Sequence, residues 1–528
     1  MSLNKRKYLL SLCLTFIFLI PIFIFNVGWN FDDTGYWLYI FKNNNISLSY
    51  FNNDRFAPFN TISTKLISLL SFKPVVFFLY NFLLAFLSFS ILLYITLKSD
   101  LKTWFFPIII IFTAGFSTTF YRIYHGEREL FFLWAVFIFI SFQSINFKYQ
   151  IEISNSIYFT IIPINITLYY KETSVILLAL ISLFTLFVLI KNSNKYFQLS
   201  IKNKKILLNL LILYFLSIII YIYLYTKYTT PIYSDSYYNK LVPNNSIYSR
   251  LNYSIKSIFL FSISDFLIFI FLPSISLFLN YLRIKKLIIL SNINKLYLAN
   301  ILFFISLFFT ISYVLLGIHS NYYLLPVYPF SILSLCLYID LFYELKLIRN
   351  KIILYVLFPI IIINSINSSI NEIIFLRISS KNFMNYQFRL NYILNQDSKS
   401  NISNNAILFL GVNDITYYEN IQNCYLKFYD ISTNNVKILS SIDFENKVKP
   451  KFKIYFIVTP NSNENKLQIN NRIKSLGLKN IFRTSTLHYF ELPELRHIVK
   501  YFMIKFNKSS IQSPNIYREV DFEIYTNF

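Results

Sequence analysis

Cysteine is almost missing from this chain, and that removes two kinds of architecture at once. Cys13 and Cys336 sit in apolar runs and Cys424 in a polar tail, so neither a disulfide framework nor a cysteine metal site is available. Glycine is equally scarce, with seven residues in 528. No GxGxxG or GxxxxGK[ST] string occurs, which leaves a Rossmann or P-loop nucleotide site without its phosphate-cradling turn. Of the four histidines, His488 and His497 lack metal-ligand spacing. Charge is the third shortage: only 14% of residues are charged, and this excludes a soluble enzyme.

What fills the chain is hydrocarbon. It is 55% hydrophobic and 20% aromatic, with a mean hydropathy of +0.49, the composition of an integral membrane protein. The first apolar run, 8 to 27, follows Lys5, Arg6 and Lys7 as a signal peptide would. No small-residue cleavage site precedes Trp29, so the run reads as a retained helix. Apolar runs of helical length then predict about eleven spans, near 8 to 27, 74 to 97, 103 to 120, 130 to 146, 156 to 170, 173 to 190, 206 to 226, 257 to 281, 296 to 318, 321 to 342 and 352 to 368.

The formal charge of +24 lies mainly in loops and in the last third, with no basic stripe for nucleic acid. With the N-terminus cytoplasmic, alternate loops carry Lys98 and Lys102, Lys148, the group Lys191 to Lys205, Arg283 to Lys295, and Lys346 to Lys351. That is the positive-inside pattern, and anionic lipid is the partner it suits. The same count places Asp32, Asp33, Asp54, Arg55, Arg122, His125, Glu127, Arg128, Glu129, Lys171, Glu172, Asp235, Arg250 and His319 at one outer mouth. Gly28, Gly35, Gly126 and Gly317 border those loops, where tight turns are expected.

After residue 369 the pattern changes. "AILFLG" (406 to 411) and "KIYFIVTP" (453 to 460) read as buried strands, and "NKLQINNRIKSLG" (465 to 477) as an amphipathic helix ending at Gly477. The fold expected is a polytopic α-helical membrane protein, with a transmembrane domain at 1–369 and a small extracytoplasmic α/β domain at 370–528.

Four outer stretches carry the polar chemistry. In "NFDDTGYW", the Asp32–Asp33 pair can accept a proton from a hydroxyl nucleophile or hold a divalent cation; equally, Asp32 can cap a short helix beginning near Thr34. In "YRIYHGEREL", Glu127, Glu129 and His125 can position an acceptor or cation and Arg122 or Arg128 can pair with phosphate, against the alternative of a solvated loop with internal ion pairs. In "YYKETS", Lys171 sits between apolar stretches, where a lysine is costly unless paired or set at a phosphate; a Lys171–Glu172 pair marking a turn competes. In "GIHSNYYLLPVYPF", two prolines can break a helix to line a cavity, and His319 can titrate or bind phosphate, while the tyrosines can be plain interfacial anchors.

Together these stretches resemble the GT-C superfamily of polytopic glycosyltransferases, in particular bacterial relatives of protein O-mannosyltransferases and aminoarabinose transferases. The resemblance covers roughly residues 8 to 345, on "DDTGYW", "DRFAPF", Arg128–Glu129, Lys171 and "YYLLPVYP", where Tyr322 replaces the family's arginine. It implies a polyprenyl-phosphate sugar donor, a cell-envelope glycan, lipid or protein acceptor, and inverting transfer at the outer face of the cytoplasmic membrane. By resemblance Asp32 is the general base and Asp33 its support. Lys171, with Arg55, Arg128, Arg250 or His319, faces the donor phosphate, and Tyr36, Trp37, Tyr322 and Tyr323 line a lipid or sugar pocket. A divalent cation, Mg2+ or Mn2+, held by Asp32 and Glu129, is the one cofactor the resemblance allows. Two other readings stay open: a polymerase or ligase of lipid-linked glycans, and a transporter or flippase, for which Asp265 near the eighth expected span is the one supporting residue.

Overall fold

A computed structural model describes residues 3–24, 49–50, 55–71, 73–99, 101, 103, 105–123, 126–146, 152–190, 199–228, 272–285, 293–315, 321–345, 351–399, 405–410, 422–423, 425–426, 436–439, 453–459, 466–484, 492–494 and 521–527. Over these residues the chain is mostly helical. The helices are α1 (Leu3–Leu19), α2 (Pro21–Ile24), α3 (Pro58–Leu70), α4 (Pro74–Lys98), α5 (Ala114–Phe120), α6 (Glu127–Ser144), α7 (Ile161–Tyr170), α8 (Ser174–Ile190), α9 (Ile201–Tyr228), α10 (Leu272–Ile284), α11 (Ile293–Leu315), α12 (Tyr328–Glu344), α13 (Lys351–Lys399) and α14 (Lys466–Ser475).

Five segments among the described residues are long and apolar enough to cross a membrane: Arg6–Ile24, Pro74–Lys98, Ile201–Tyr228, Ile293–Tyr313 and Tyr322–Glu344. These are the helices of a membrane protein, and their outward faces are oily. On α9, Leu208, Ile212, Phe215, Ile219 and Ile222 are all exposed while Leu207, Leu210 and Tyr214 are buried. Such a helix is apolar all round, with packing rather than polarity choosing its inner face.

Three expected spans take a different form. The run 103 to 120 is split into a 3-10 turn, Phe106–Phe112, and α5, because Thr113 adopts an extended backbone and its Oγ1 accepts the Phe116 N–H at 3.2 Å. The run 156 to 170 begins as a 3-10 turn, Asn155–Thr160, before α7. The last span does not stop at 368: α13 runs unbroken from Lys351 to Lys399, 49 residues and about 74 Å at the α-helical rise. A further helix, α3, lies in the stretch expected to be outer loop, and starts with Pro58 at its first turn. Gly126 adopts an ordinary helical conformation at the N-cap of α6, so no tight turn requires it. Gly28, Gly35 and Gly317, like Asp265, lie outside the described residues.

Beyond the helices is a five-stranded sheet formed by β1 (Asn405–Leu410), β2 (Val436–Leu439), β3 (Lys453–Val458), β4 (Lys479–Arg483) and β5 (Glu523–Thr526). Its spatial order is β2-β1-β3-β5-β4, parallel among the first three and antiparallel at β3/β5 and β5/β4. Period-two alternation divides its side chains between two cores. Ile407, Phe409, Tyr455 and Ile457 face Phe383, Tyr386, Leu390 and Leu394 of α13, while Ala406, Leu408, Ile454 and Phe456 face Ile469 and Ile473 of α14. The residues 383, 386, 390 and 394 recur at helical spacing, so the far half of α13 serves as one layer of the α/β unit. The expected boundary at residue 369 therefore falls inside a continuous helix.

Candidate functional site

Asn81, in the second turn of α4, organises one end of the helical bundle. Its Nδ2 donates to the carbonyls of Phe120 at 3.0 Å and Arg122 at 2.7 Å, just where α5 ends and carbonyls have no helical partner. Its Oδ1 accepts from Nη1 of Arg128, which also donates to the Ile123 carbonyl at 2.7 Å. Arg128 Nε reaches Glu129 Oε1 at 2.9 Å, and the guanidinium lies 5.0 Å from the centre of the Tyr80 ring. Arg128 is fully buried and Glu127 and Glu129 nearly so, at 0%, 2% and 2% exposure. The internal ion pair expected of this stretch is present, but the described residues 126–129 are not solvated: the Ile123 carbonyl, the Asn81 amide oxygen and Glu129 hold the guanidinium inside.

Lys171 follows the last turn of α7 with an extended backbone (φ −160°, ψ 133°). Its Nζ donates to Oε1 of Glu127, in the first turn of α6, and its carbonyl accepts the Ser174 N–H at 3.0 Å, so the expected turn at Lys171–Glu172 is present while the ammonium pairs with Glu127. The ammonium also lies 4.3 Å from the Tyr323 ring centre and 6.0 Å from that of Tyr322. Tyr323 in turn stacks on Tyr313 at the end of α11, with ring centres 5.3 Å apart and planes 16° apart. Three sequence-distant segments thus meet around one ammonium. It keeps 14% side-chain exposure and has three N–H donors, of which Glu127 takes one, so it can serve an anion as well as its carboxylate partner.

Between α7 and α9 is an aromatic cluster that the sequence reading does not single out. Phe56 stacks on Tyr228 at 5.6 Å and meets Tyr169 at 6.0 Å; Tyr169 meets Tyr221 at 5.7 Å, and the Tyr221 hydroxyl donates to the Phe56 carbonyl at 3.3 Å. Tyr221, Tyr225 and Tyr228 recur at i, i+4 and i+7, a signal present in the sequence but masked by the 43 tyrosines around it. Phe56 and Tyr221 are themselves buried, at 4% and 2% exposure, so these rings fix α7 against α9.

Of the candidate residues, Lys171, Glu127, Tyr322 and Tyr323 are brought together, and Arg128 and Glu129 pair with each other. Arg55 is described only as backbone, in a two-residue strand paired with Ser49–Tyr50. Asp32, Asp33, Tyr36, Trp37, His125, Arg250 and His319 lie outside the described residues. Among the described residues no group of three or more His, Cys, Asp or Glu could hold a metal ion. A cation at Oε1 of Glu129 would have to displace the Arg128 guanidinium. No protein-family model matches the chain, and no curated protein matches it either.

Proposed function

We propose that this protein is a GT-C-like membrane glycosyltransferase of about eleven spans. It moves a sugar from a polyprenyl-phosphate donor to a hydroxyl acceptor on the outer face of the cytoplasmic membrane. In this reading the N-terminus is cytoplasmic and the C-terminal α/β unit extracytoplasmic. Asp32 removes the acceptor proton while Asp33 supports it, and Lys171 stabilises the departing phosphate, with a divalent cation as a second possible source of charge. A phosphate-linked sugar already has a good leaving group, so fixed positive charge matters more than acid catalysis.

The observation that carries the reading is the convergence on Lys171. Glu127 and Tyr322–Tyr323, from segments expected to share one membrane face, surround a lysine at the end of an apolar helix. An ammonium held between a carboxylate and aromatic faces at the end of an apolar helix suits a lipid phosphate, whose chain can arrive sideways between helices.

The test is sugar transfer from a panel of radiolabelled polyprenyl-phosphate sugars to cell-envelope acceptors, in membranes carrying wild type, Asp32→Asn or Lys171→Ala. Transfer by wild type that collapses in both variants is the expected result. Robust transfer by Asp32→Asn would remove it as the base, and no transfer by wild type across the panel would count against the donor class.

A further inference from the structure

The Lys171 cluster occupies one end of the helices; towards their other end α6, α8, α9 and α11 leave an apolar groove of about 180 Å3. Ser141 and Thr185 put hydroxyls on its walls, but both are already used. Ser141 Oγ donates to the Phe137 carbonyl at 2.9 Å and Thr185 Oγ1 to that of Ile181 at 2.8 Å, each within its own helix. The Tyr214 hydroxyl, also on the lining, is held by Thr160 at 2.8 Å. Such a groove suits a hydrocarbon chain, and left empty it forfeits dispersion contacts on every wall.

What precedes the groove along α9 narrows the occupant. Leu199, Leu207 and Leu210 belong to the lining, and between them the first turns of α9 carry Lys202, Lys204 and Lys205, all exposed. These lysines sit at the N-terminal end of a 28-residue helix, where the backbone adds positive potential. The sequence holds no acid between Glu172 and Asp235, and the one exposed carboxylate of the strand packed on this turn is Glu152, next to Ile153, whose N–H reaches Asn203 at 3.3 Å, so the end stays net positive. The outer faces of α8 and α9 expose Phe187 and Ile212, as hydrocarbon-facing helices do.

We propose that this groove binds part of one acyl chain of an anionic phospholipid, whose headgroup phosphate lies at the N-terminal end of α9, in the positive field of Lys202, Lys204 and Lys205. A topological role for the lysines alone would require positive charge but no groove beside it. The joint presence of basic edge and apolar slot is what selects a whole lipid. The site is separate from the Lys171 cluster, and its occupancy does not depend on what that cluster does.

The test is native mass spectrometry of the full chain in mild detergent, titrated with phosphatidylglycerol, with phosphatidylcholine of the same acyl chains, and with undecaprenyl phosphate. Wild type is expected to hold one phosphatidylglycerol at least about tenfold more tightly than phosphatidylcholine, since each basic residue near an anionic headgroup contributes measurably. The triple change Lys202→Gln, Lys204→Gln, Lys205→Gln is expected to abolish that preference. Thr185→Phe and Ser141→Phe, which fill the groove from different walls, are expected to lower occupancy by both phospholipids several-fold while the protein elutes as one species. Equal retention in the filled variants, an unchanged preference in the lysine variant, or undecaprenyl phosphate displacing phosphatidylglycerol would each overturn the proposal. Photocrosslinking of wild type with phosphatidylglycerol carrying a diazirine in its acyl chain gives a readout free of folding effects. Crosslinks on α8 and the first half of α9 are expected, and crosslinks confined to other helices would overturn it.

Discussion

Lys171 and Glu127 form an ion pair across 44 residues of sequence, linking the end of one apolar helix to the start of another. Both side chains are largely withdrawn from solvent, at 14% and 3% exposure. Two charges so enclosed depend on each other far more than an exposed pair does, because either one alone would face a poorly solvating surround.

That dependence predicts a strong coupling. Lys171→Met and Glu127→Gln should each destabilise the protein by about 3 kcal/mol, and the double variant by clearly less than their sum. Thermal unfolding in detergent of the four members of the cycle gives the coupling energy. Additive losses would mean that the pair is not formed in solution.

The contrast between what could and could not be read from sequence follows from this pair. "AILFLG", "KIYFIVTP" and the helix ending at Gly477 are legible because their patterns are local: alternation or helical spacing over a few residues decides them. Lys171 stands out for a local reason too, being a cation flanked by hydrocarbon. Its partner does not, since three carboxylates at Glu127, Glu129 and Glu172 offer equal chemistry and only the packing of α6 against α7 selects one. Burial of Arg128 is likewise a tertiary result, set by Asn81 of α4 and the Ile123 carbonyl meeting its guanidinium. The split of the run 103 to 120 rests on one capping threonine inside an apolar stretch, a signal too small to interrupt a hydropathy reading.

Arg128 should tolerate no replacement, lysine included. Its planar fork serves Asn81, the Ile123 carbonyl and Glu129 at once, with its face against Tyr80. A lysine cannot reproduce that geometry. Arg128→Lys should therefore cost about 3 kcal/mol by leaving Glu129 buried beside a poorly placed charge. Asn81→Ala should cost about 2 kcal/mol by stranding the carbonyls of Phe120 and Arg122. Denaturation midpoints of both variants check this, and a change of less than half these values in either would show that water replaces the lost partners.

Gly477 closes α14 with φ +60°, and its N–H donates to the Lys474 carbonyl at 3.1 Å. An added Cβ would meet nothing within 4 Å, so the demand for glycine here is one of backbone conformation alone. Gly477→Ala should accordingly cost about 1 kcal/mol, and Gly477→Asn less, since asparagine enters the left-handed region more readily. Hydrogen exchange of α14 in the full chain should show the order Gly, Asn, Ala in protection.

Tyr455 in β3 donates its hydroxyl to Asp397 near the end of α13, while Lys453 reaches the other oxygen of that carboxylate at 2.8 Å. Burial first, and then the hydrogen bond to Asp397 and its charge, hold the phenol well above its ordinary value of 10.0. The unfolded chain therefore gives up this proton before the folded one does. Stability from the contact is complete below pH 10 and is lost as pH rises from there towards the raised folded value. Tyr455→Phe should be less stable than wild type by about 1 kcal/mol near neutrality, and the difference should shrink in alkali because the phenylalanine variant has no phenol to ionise. Exchange protection of β3 in the two proteins, followed from pH 8 to about 11 after correction for the intrinsic rate, reads this directly. A gap that stays constant over the alkaline range would show that the hydroxyl does not hold Asp397 in solution.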